Sequence, residues 1–250
     1  MNGPDALRPP SLGLLLAAHG ERGGNAGNAG LMRLADSLTA RGIASEVGVG
    51  FIKGTPTVAA SLRALAASNI VVYPVFASDG HFSRVRLPQL LDDAGGGDRV
   101  SHIFAPLGLD PGLAAIVARR LAACARAEDL QMSQANVILM SHGSRRDPAS
   151  RLAAKGLAER LVGSALFRSI GVALLEEPPS LQQATAGLPG PILVVGLFCG
   201  DGMHGAEDVQ RQIAQCGRTD VVFAGNVGEF EGIEELIAAA VARWQAERAV

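Results

Sequence analysis

Aromatic residues and cysteines are scarce in this sequence of 250 residues. Only 4% of the residues are aromatic, and the three cysteines are Cys124, Cys199 and Cys216. Because no two of them form a C-x-x-C pair, the sequence has neither a disulfide framework nor the ligand spacing of a structural zinc site. We therefore expect a reducing, cytoplasmic setting.

Charge is also low and nearly balanced. Charged residues make up 18% of the chain and the net charge is −2, so the basic excess typical of nucleic-acid-binding proteins is missing. No apolar run reaches the roughly 18 residues that a transmembrane helix needs, so no membrane partner is expected. Residues 1–10 contain Asp5 and two adjacent prolines but no apolar core, which predicts an N-terminal tail rather than a signal peptide. With 48% hydrophobic residues, the remainder can bury a large core.

What the sequence does contain is an internal duplication marked by histidines. Two apolar runs end in a His-Gly pair, at His19 and at His142, 123 residues apart by subtraction. His81 and His204 follow two further matched segments at the same offset. Duplication alone explains the equal spacing, so the informative observation is that the histidines themselves are retained in both copies.

Strand and helix patterns alternate in the same order in both halves. The pattern predicts an α/β protein with two tandem, duplicated flavodoxin-like (Rossmann-like) domains, each with a parallel sheet and right-handed crossovers. We place the first domain at 11–128, a polar linker at 129–134 and the second domain at 135–250. Thr55-Pro56 is interpreted as the N-cap and first residue of a helix. His81 and His204 are placed in loops.

The predicted topology places the histidines together. Doubly wound sheets bind ligands beyond the carboxyl ends of the strands, where the strand order reverses. For the order 2-1-3-4 this point lies between strands 1 and 3, and adjacent strands are about 4.8 Å apart. We therefore expect His19 and His81 to face one small cavity, and His142 and His204 to face another. His102 has no counterpart and is interpreted as structural.

Two motifs resemble those of a known enzyme family. They are the strand ending in Ser141-His142-Gly143-Ser144-Arg145 and the segment Pro74-Val75-Phe76…Gly80-His81…Pro88. Both are similar to motifs of the class II tetrapyrrole chelatases, above all the sirohydrochlorin cobaltochelatase (CbiX-like) type, which is related to siroheme and haem ferrochelatases. The resemblance covers both halves and implies two flavodoxin-like domains with a cleft between them.

The resemblance also implies an activity. Such a lyase inserts a divalent metal into sirohydrochlorin or a related tetrapyrrole in cobalamin or siroheme biosynthesis. The metal, cobalt or else nickel or iron, is a substrate, and no organic cofactor is expected. The tetrapyrrole is the expected small-molecule partner, and the oligomeric state is open.

The residue types suit this chemistry. Neutral imidazole is a ligand for cobalt, nickel, iron and zinc, and its pKa of about 6.5 lets it accept pyrrole protons near neutrality. The candidate metal ligands and bases are His19, His81, His142 and His204. A carboxylate beside such an imidazole holds it and relays protons, which makes Glu176 or Glu177 a candidate; Glu207 and Asp208 follow His204. Cationic groups for the carboxylates of the tetrapyrrole are Arg22, Lys53, Arg84, Arg86, Arg145 and Arg146.

The two copies differ around their histidines. Lys53 stands where the offset places Glu176, Glu21 replaces Ser144, and Gly196 takes the place of Pro74. The second half, with His142, Glu176 and His204, has both a base and an acid and is favoured as the working site. The family also uses the first-half pair, so the choice between the halves stays open.

Three other interpretations remain. The chain is alternatively a non-catalytic carrier of metal or tetrapyrrole with the same fold. A histidine-phosphatase-like enzyme is less favoured, because the arginine expected before the nucleophilic histidine is Ala18 in one copy and Ser141 in the other. Cys199 is a further candidate thiolate ligand, although a structural role as a small apolar residue is favoured for it.

Overall fold

The computed structural model describes residues 11–20, 28–163, 165–200 and 203–248, the last range without the side chains of residues 203–206. The predicted tail at 1–10 and Arg22 therefore lie outside the described residues. None of the helices in the described ranges is both long and apolar enough to cross a bilayer.

Strands and helices alternate through the whole chain. The first half comprises β1 (Leu12–Ala18), α1 (Ala29–Ala40), β2 (Glu46–Phe51), α2 (Val58–Ala64), β3 (Asn69–Pro74), α3 (Leu87–Asp93), β4 (Val100–Ile103) and α4 (Leu113–Ala127). The second half comprises β5 (Asn136–Ser141), α5 (Ala149–Val162), β6 (Ser169–Leu174), α6 (Leu181–Thr185), β7 (Ile192–Gly196), α7 (Met203–Gln215), β8 (Val221–Asn226) and α8 (Ile233–Arg248).

The strands form two parallel four-stranded sheets with the predicted order. The first is β2-β1-β3-β4 and the second is β6-β5-β7-β8. Every residue of β1 and of β5 is buried, as expected for central strands covered by helices on both faces. The fold class is confirmed: the chain is α/β, with two similar halves. His19 and His142 directly follow the two central strands.

The predicted start of α2 is wrong. Thr55-Pro56 is a cis peptide in the connection ahead of the helix, and the carbonyl of Pro56 accepts a hydrogen bond from Phe51 N–H at 2.9 Å. That bond keeps Pro56 beside the end of β2. The N-cap is Thr57, whose hydroxyl accepts from Ala60 N–H at 3.1 Å, so the helix begins at Val58.

The placement of His81 and His204 in loops is also wrong, because both residues lie at the start of helical segments. His81 is the N-cap of a π-helical turn, Phe82–Arg86, that leads directly into α3. His204 is the second residue of α7. The backbone of each histidine is therefore held by a helix that packs on its sheet.

The last helix of each half packs against the other half. Helix α4 lies against β7, β8 and α5, and Arg120 Nε donates to the carbonyl of Ala224 at 2.6 Å. Helix α8 packs against α1, and its Trp244 stacks on His102 of β4 with ring centroids 5.9 Å apart. A continuous cluster of buried apolar side chains consequently spans both sheets. The boundaries drawn at 128 and 135 separate the strands of the two sheets, but the two halves share one core.

His102 lies within this shared packing. Its ring stacks on Trp244 and meets Phe104 edge-on, with centroids 4.6 Å apart. Burial, and after it the positive charge of Arg248, lowers the pKa of His102 below its ordinary 6.5. These contacts agree with the structural role predicted for this histidine.

The lowered pKa of His102 makes stability depend on pH. Below pH 6.5 the unfolded chain binds a proton at this site more readily than the folded chain, so stability present above 6.5 is lost as the pH falls. We expect the urea midpoint to fall between pH 7 and pH 5.5, and to fall less in His102→Gln, which cannot titrate. The same pH dependence in both proteins would contradict this role.

Candidate active site at the carboxyl edges of the sheets

A sharp turn follows each central strand, and this turn explains the His-Gly pairs. Gly20 has φ +75° and Gly143 has φ +74°, values that favour glycine. A Cβ at Gly20 would collide with the carbonyl oxygen of Lys53. A Cβ at Gly143 would lie only 3.0 Å from Glu177 Cγ and from Leu174 Cβ. The chain therefore turns away immediately, and the preceding histidine stays at the edge of the sheet.

In the second half, the structure brings His142 and Glu176 together. Strand β6 runs beside β5, and beyond it Glu176 N–H donates to the carbonyl of His142 at 3.0 Å. The two side chains also contact each other, with His142 Nε2 3.3 Å from Glu176 Oε1. More than half of each side chain is exposed, so both groups can exchange protons with solvent.

Glu177, the other carboxylate considered from the sequence, has different partners. Its side chain is only 7% exposed, and Oε2 pairs with Arg151 Nη1 at 3.0 Å. Oε1 accepts from Ser144 N–H at 3.1 Å, and Ser150 Oγ accepts from Gly143 N–H at 3.2 Å. These contacts brace the turn after His142. Sequence reasoning missed Arg151 and Ser150, because nothing in the sequence shows that the start of α5 returns to this turn.

The other second-half candidates lie on α7. His204 is in its first turn, beyond the end of β7, and its side chain lies outside the described residues. Glu207 is exposed, and Asp208 pairs with Arg211 at 2.7 Å on the same helix. The pairing of His142 with His204 therefore stays a prediction.

In the first half, the rings of His19 and His81 both contact the ring of Phe82. The ring of His19 meets Phe82 edge-on at 4.6 Å between centroids, and the ring of His81 meets it at 5.7 Å. Lys53 Nζ lies over the face of Phe82, 5.3 Å from its centroid. The structure thus gathers both histidines and Lys53 around Phe82, which sequence reasoning missed.

The loops that carry the two histidine edges meet each other. Gly80, directly before His81, lies so close to Asp147 that an added Cβ would be 3.4 Å from the Asp147 carboxylate. Arg84 Nη2 is 3.6 Å from Asp147 Oδ2. Since Asp147 belongs to the loop after His142, the two edges are neighbours, and we call the space beside them the cleft. The other described arginines predicted to bind substrate, namely Arg86, Arg145 and Arg146, have exposed side chains.

Two further sequence features find a physical explanation. Burial raises the pKa of the Cys199 thiol to about 12, which favours the protonated thiol and agrees with the structural role favoured for this residue. Gly196 replaces the proline of the first half because any Cβ there would collide with Oδ1 of the buried Asn226. In the described ranges, no group of three or more His, Cys, Asp or Glu side chains is arranged to hold a metal ion.

The His-Gly turn makes a stability prediction. Gly143→Ala should destabilise the protein by about 2 kcal/mol or more, because left-handed strain adds to a collision with Glu177 and Leu174. The control is Gly187→Ala, which has the same φ of +74° but no atom within 4 Å of the added Cβ, and should cost about 1 kcal/mol. Urea unfolding measures both, and equal losses would contradict the proposed crowding of the turn.

Comparison with known proteins now identifies the family. The CbiX family model matches residues 13–124 and 136–244. A probable sirohydrochlorin cobaltochelatase from Halobacterium salinarum is 24% identical over 197 residues, which are 70% of this chain and 67% of that protein. The structure of CbiX, the terminal enzyme of siroheme biosynthesis in denitrifying bacteria, aligns with a TM-score of 0.75 and 25% identity over 92% of this chain and 98% of that one.

A third comparison supports the fold. The sirohydrochlorin chelatase SirB from Bacillus subtilis subspecies spizizenii, solved in complex with cobalt, aligns with a TM-score of 0.74 over 93% of this chain and 94% of that one. At 17% identity, this likeness concerns the fold alone. Since the CbiX model matches both halves and nearly the whole length, the resemblance seen in the sequence is confirmed, and the chain belongs to the CbiX family of chelatases.

Proposed function

We propose that this chain inserts a divalent metal into sirohydrochlorin or a related tetrapyrrole. The observation that carries the proposal is the contact of His142 with Glu176 beside the cleft, in a chain whose two halves both match the CbiX family. Cobalt is the first metal to test, because the named relative is a probable cobaltochelatase. Nickel and iron are the alternatives.

The proposed reaction exchanges one metal ion for two protons. As the ion enters the macrocycle, two pyrrole N–H bonds break, and the nitrogen lone pairs form bonds to the metal. His142 accepts the two protons on its imidazole one after the other, and Glu176 at 3.3 Å stabilises each resulting imidazolium and passes each proton to solvent. The exposure of both side chains supports this exit route.

The charges around the two histidine edges favour different tasks. Glu176, Glu207 and Asp208 follow strands of the second half, together with Arg145 and Arg146, whereas Lys53, Arg84 and Arg86 follow strands of the first. A divalent cation is attracted to the carboxylates of the second half, and the carboxylates of a tetrapyrrole are attracted to the exposed cations of both halves. We therefore assign metal delivery and proton removal to His142, Glu176 and His204. His19 and His81 are the alternative ligand pair.

The direct experiment mixes the purified protein with sirohydrochlorin and cobalt(II) and follows the absorbance change on metal insertion. We expect repeated turnover at a rate well above that of the uncatalysed reaction. No acceleration with cobalt, nickel or iron would contradict the enzyme, and stoichiometric binding without turnover would identify a carrier.

Variants assign the reaction to one half. His142→Ala should lower kcat about 100-fold, as expected for loss of a general base, and His19→Ala should have a smaller effect. Glu176→Gln keeps the size of the side chain but removes its charge, and should lower kcat about tenfold. Glu159→Gln, near the far end of α5, is the matched control and should leave kcat unchanged. Equal losses in His142→Ala and His19→Ala, or a larger loss in the latter, would move the site to the first half.

A further inference from the structure

Phe82 is an aromatic side chain of the first-half histidine edge that the proposed reaction does not yet use. It is half-buried and packs on the apolar cluster formed by α2, α3 and one face of the first sheet. Its ring also reaches two polar side chains besides His81, namely His19 at 4.6 Å and Lys53 at 5.3 Å. Phe82 therefore joins the rigid core to the groups that border the cleft.

The backbone at Phe82 has an unusual conformation. Leu87 N–H donates to the carbonyl of Phe82, five residues earlier, which makes a π-helical turn of Phe82–Arg86. Such turns hold one residue more than an α-helical turn and occur often at functional sites. The π-helical turn therefore places Phe82 differently from a regular α-helical turn that led into α3 at Leu87.

The second half lacks this arrangement. In each half, the helix after the histidine has a first fully buried residue among the described side chains, Leu87 or Val209. Leu87 comes six residues after His81, but Val209 comes only five residues after His204. Helix α7 is α-helical from Met203 onward, and the residue after its histidine is Gly205, which has no side chain. The additional residue and the aromatic ring are therefore features of the first half alone.

The contacts of Phe82 restrict the imidazole of His19. The ring edge meets the imidazole at an interplanar angle of 80°, the arrangement that aromatic quadrupoles favour. His19 Nδ1 lies 3.0 Å from the carbonyl oxygen of Gly20, and a hydrogen on Nδ1 can donate to it. In that tautomer the lone pair of the neutral ring is on Nε2, the state that binds a metal or accepts a proton.

Lys53 is restricted by the same ring. A lysine ammonium on a flexible stem is usually free to adopt many rotamers. Over the face of Phe82 it gains a cation–π attraction that limits it to the neighbourhood of His19. The ring thus orders a cation that suits a carboxylate of the substrate.

We propose that Phe82 is a positioning residue of the first-half histidine edge. It holds the ammonium of Lys53 for a carboxylate of the tetrapyrrole, and it holds the imidazole of His19 in the tautomer that carries the lone pair on Nε2. This inference rests on the proposed function, since it assigns the residue that orders the substrate-binding wall of the same site.

Substitutions at Phe82 test the inference in the full-length protein. Phe82→Leu removes the ring but keeps apolar volume, and should raise KM for sirohydrochlorin about tenfold while kcat changes about twofold or less. Phe82→Tyr keeps the ring and should have the KM of the wild type. The control is Phe104→Leu, because Phe104 meets His102 with the same geometry, 4.6 Å and 85°, in the packing of β4 with α8. It should leave KM unchanged.

A spectroscopic readout is independent of turnover. Imidazole ¹⁵N shifts, assigned to His19 by comparison with His19→Asn, should show the Nδ1–H tautomer in the wild type and in Phe82→Tyr. Phe82→Leu should show a mixture of tautomers. If Phe82→Leu does not fold, Phe82→Met takes its place in both measurements.

The outcomes separate the inference from the proposed function. A wild-type protein without chelatase activity overturns the proposed function, and the NMR spectra then still test the positioning of His19. An active wild type with unchanged KM and unchanged tautomer in Phe82→Leu overturns the inference. Equal changes of KM in Phe82→Leu and Phe104→Leu also overturn it, since they would reflect a general loss of packing.

Discussion

The packing of each half's last helix against the opposite half is the constraint on which the site depends. Through α4 on β7 and β8, and α8 on α1, the two sheets share one apolar core. Their relative orientation is therefore fixed by side-chain packing rather than by the short connection between α4 and β5. The loop before His81 and the loop after His142 are held in contact as a result, and the two histidine edges are neighbours.

The two halves share the same backbone arrangement but carry different side chains beside their histidines. Both halves turn sharply at a glycine after the central strand, and both place a histidine at the end of that strand. In the second half, the loop after β6 places Glu176 beside the imidazole of His142. In the first half, the corresponding loop after β2 places Lys53 over Phe82. The proposed reaction brings a metal cation to a polyanionic macrocycle and needs groups of both charges, and these two corresponding loops provide one of each.

Much of the fold was predictable from the sequence, because buried parallel strands are apolar runs and the second half repeats the first. The order of the strands follows from such patterns. The start of α2 did not, because a hydrogen bond from Phe51 keeps Pro56 beside β2. His81 and His204 were misplaced in loops, since a glycine-rich segment before a helix gives no sign of where its first turn begins.

For the site, the sequence by itself determined the four histidines, their correspondence between the halves and the candidate role of Glu176. These features follow from strand order and from repetition at a constant offset. Only the tertiary structure decided that Glu176 reaches His142 while Glu177 braces the turn through Ser144 and Arg151. It alone placed Phe82 against His19, and Arg84 against Asp147. These partners are distant in the chain, and their contacts depend on how helices pack on the sheets, which local sequence patterns do not encode.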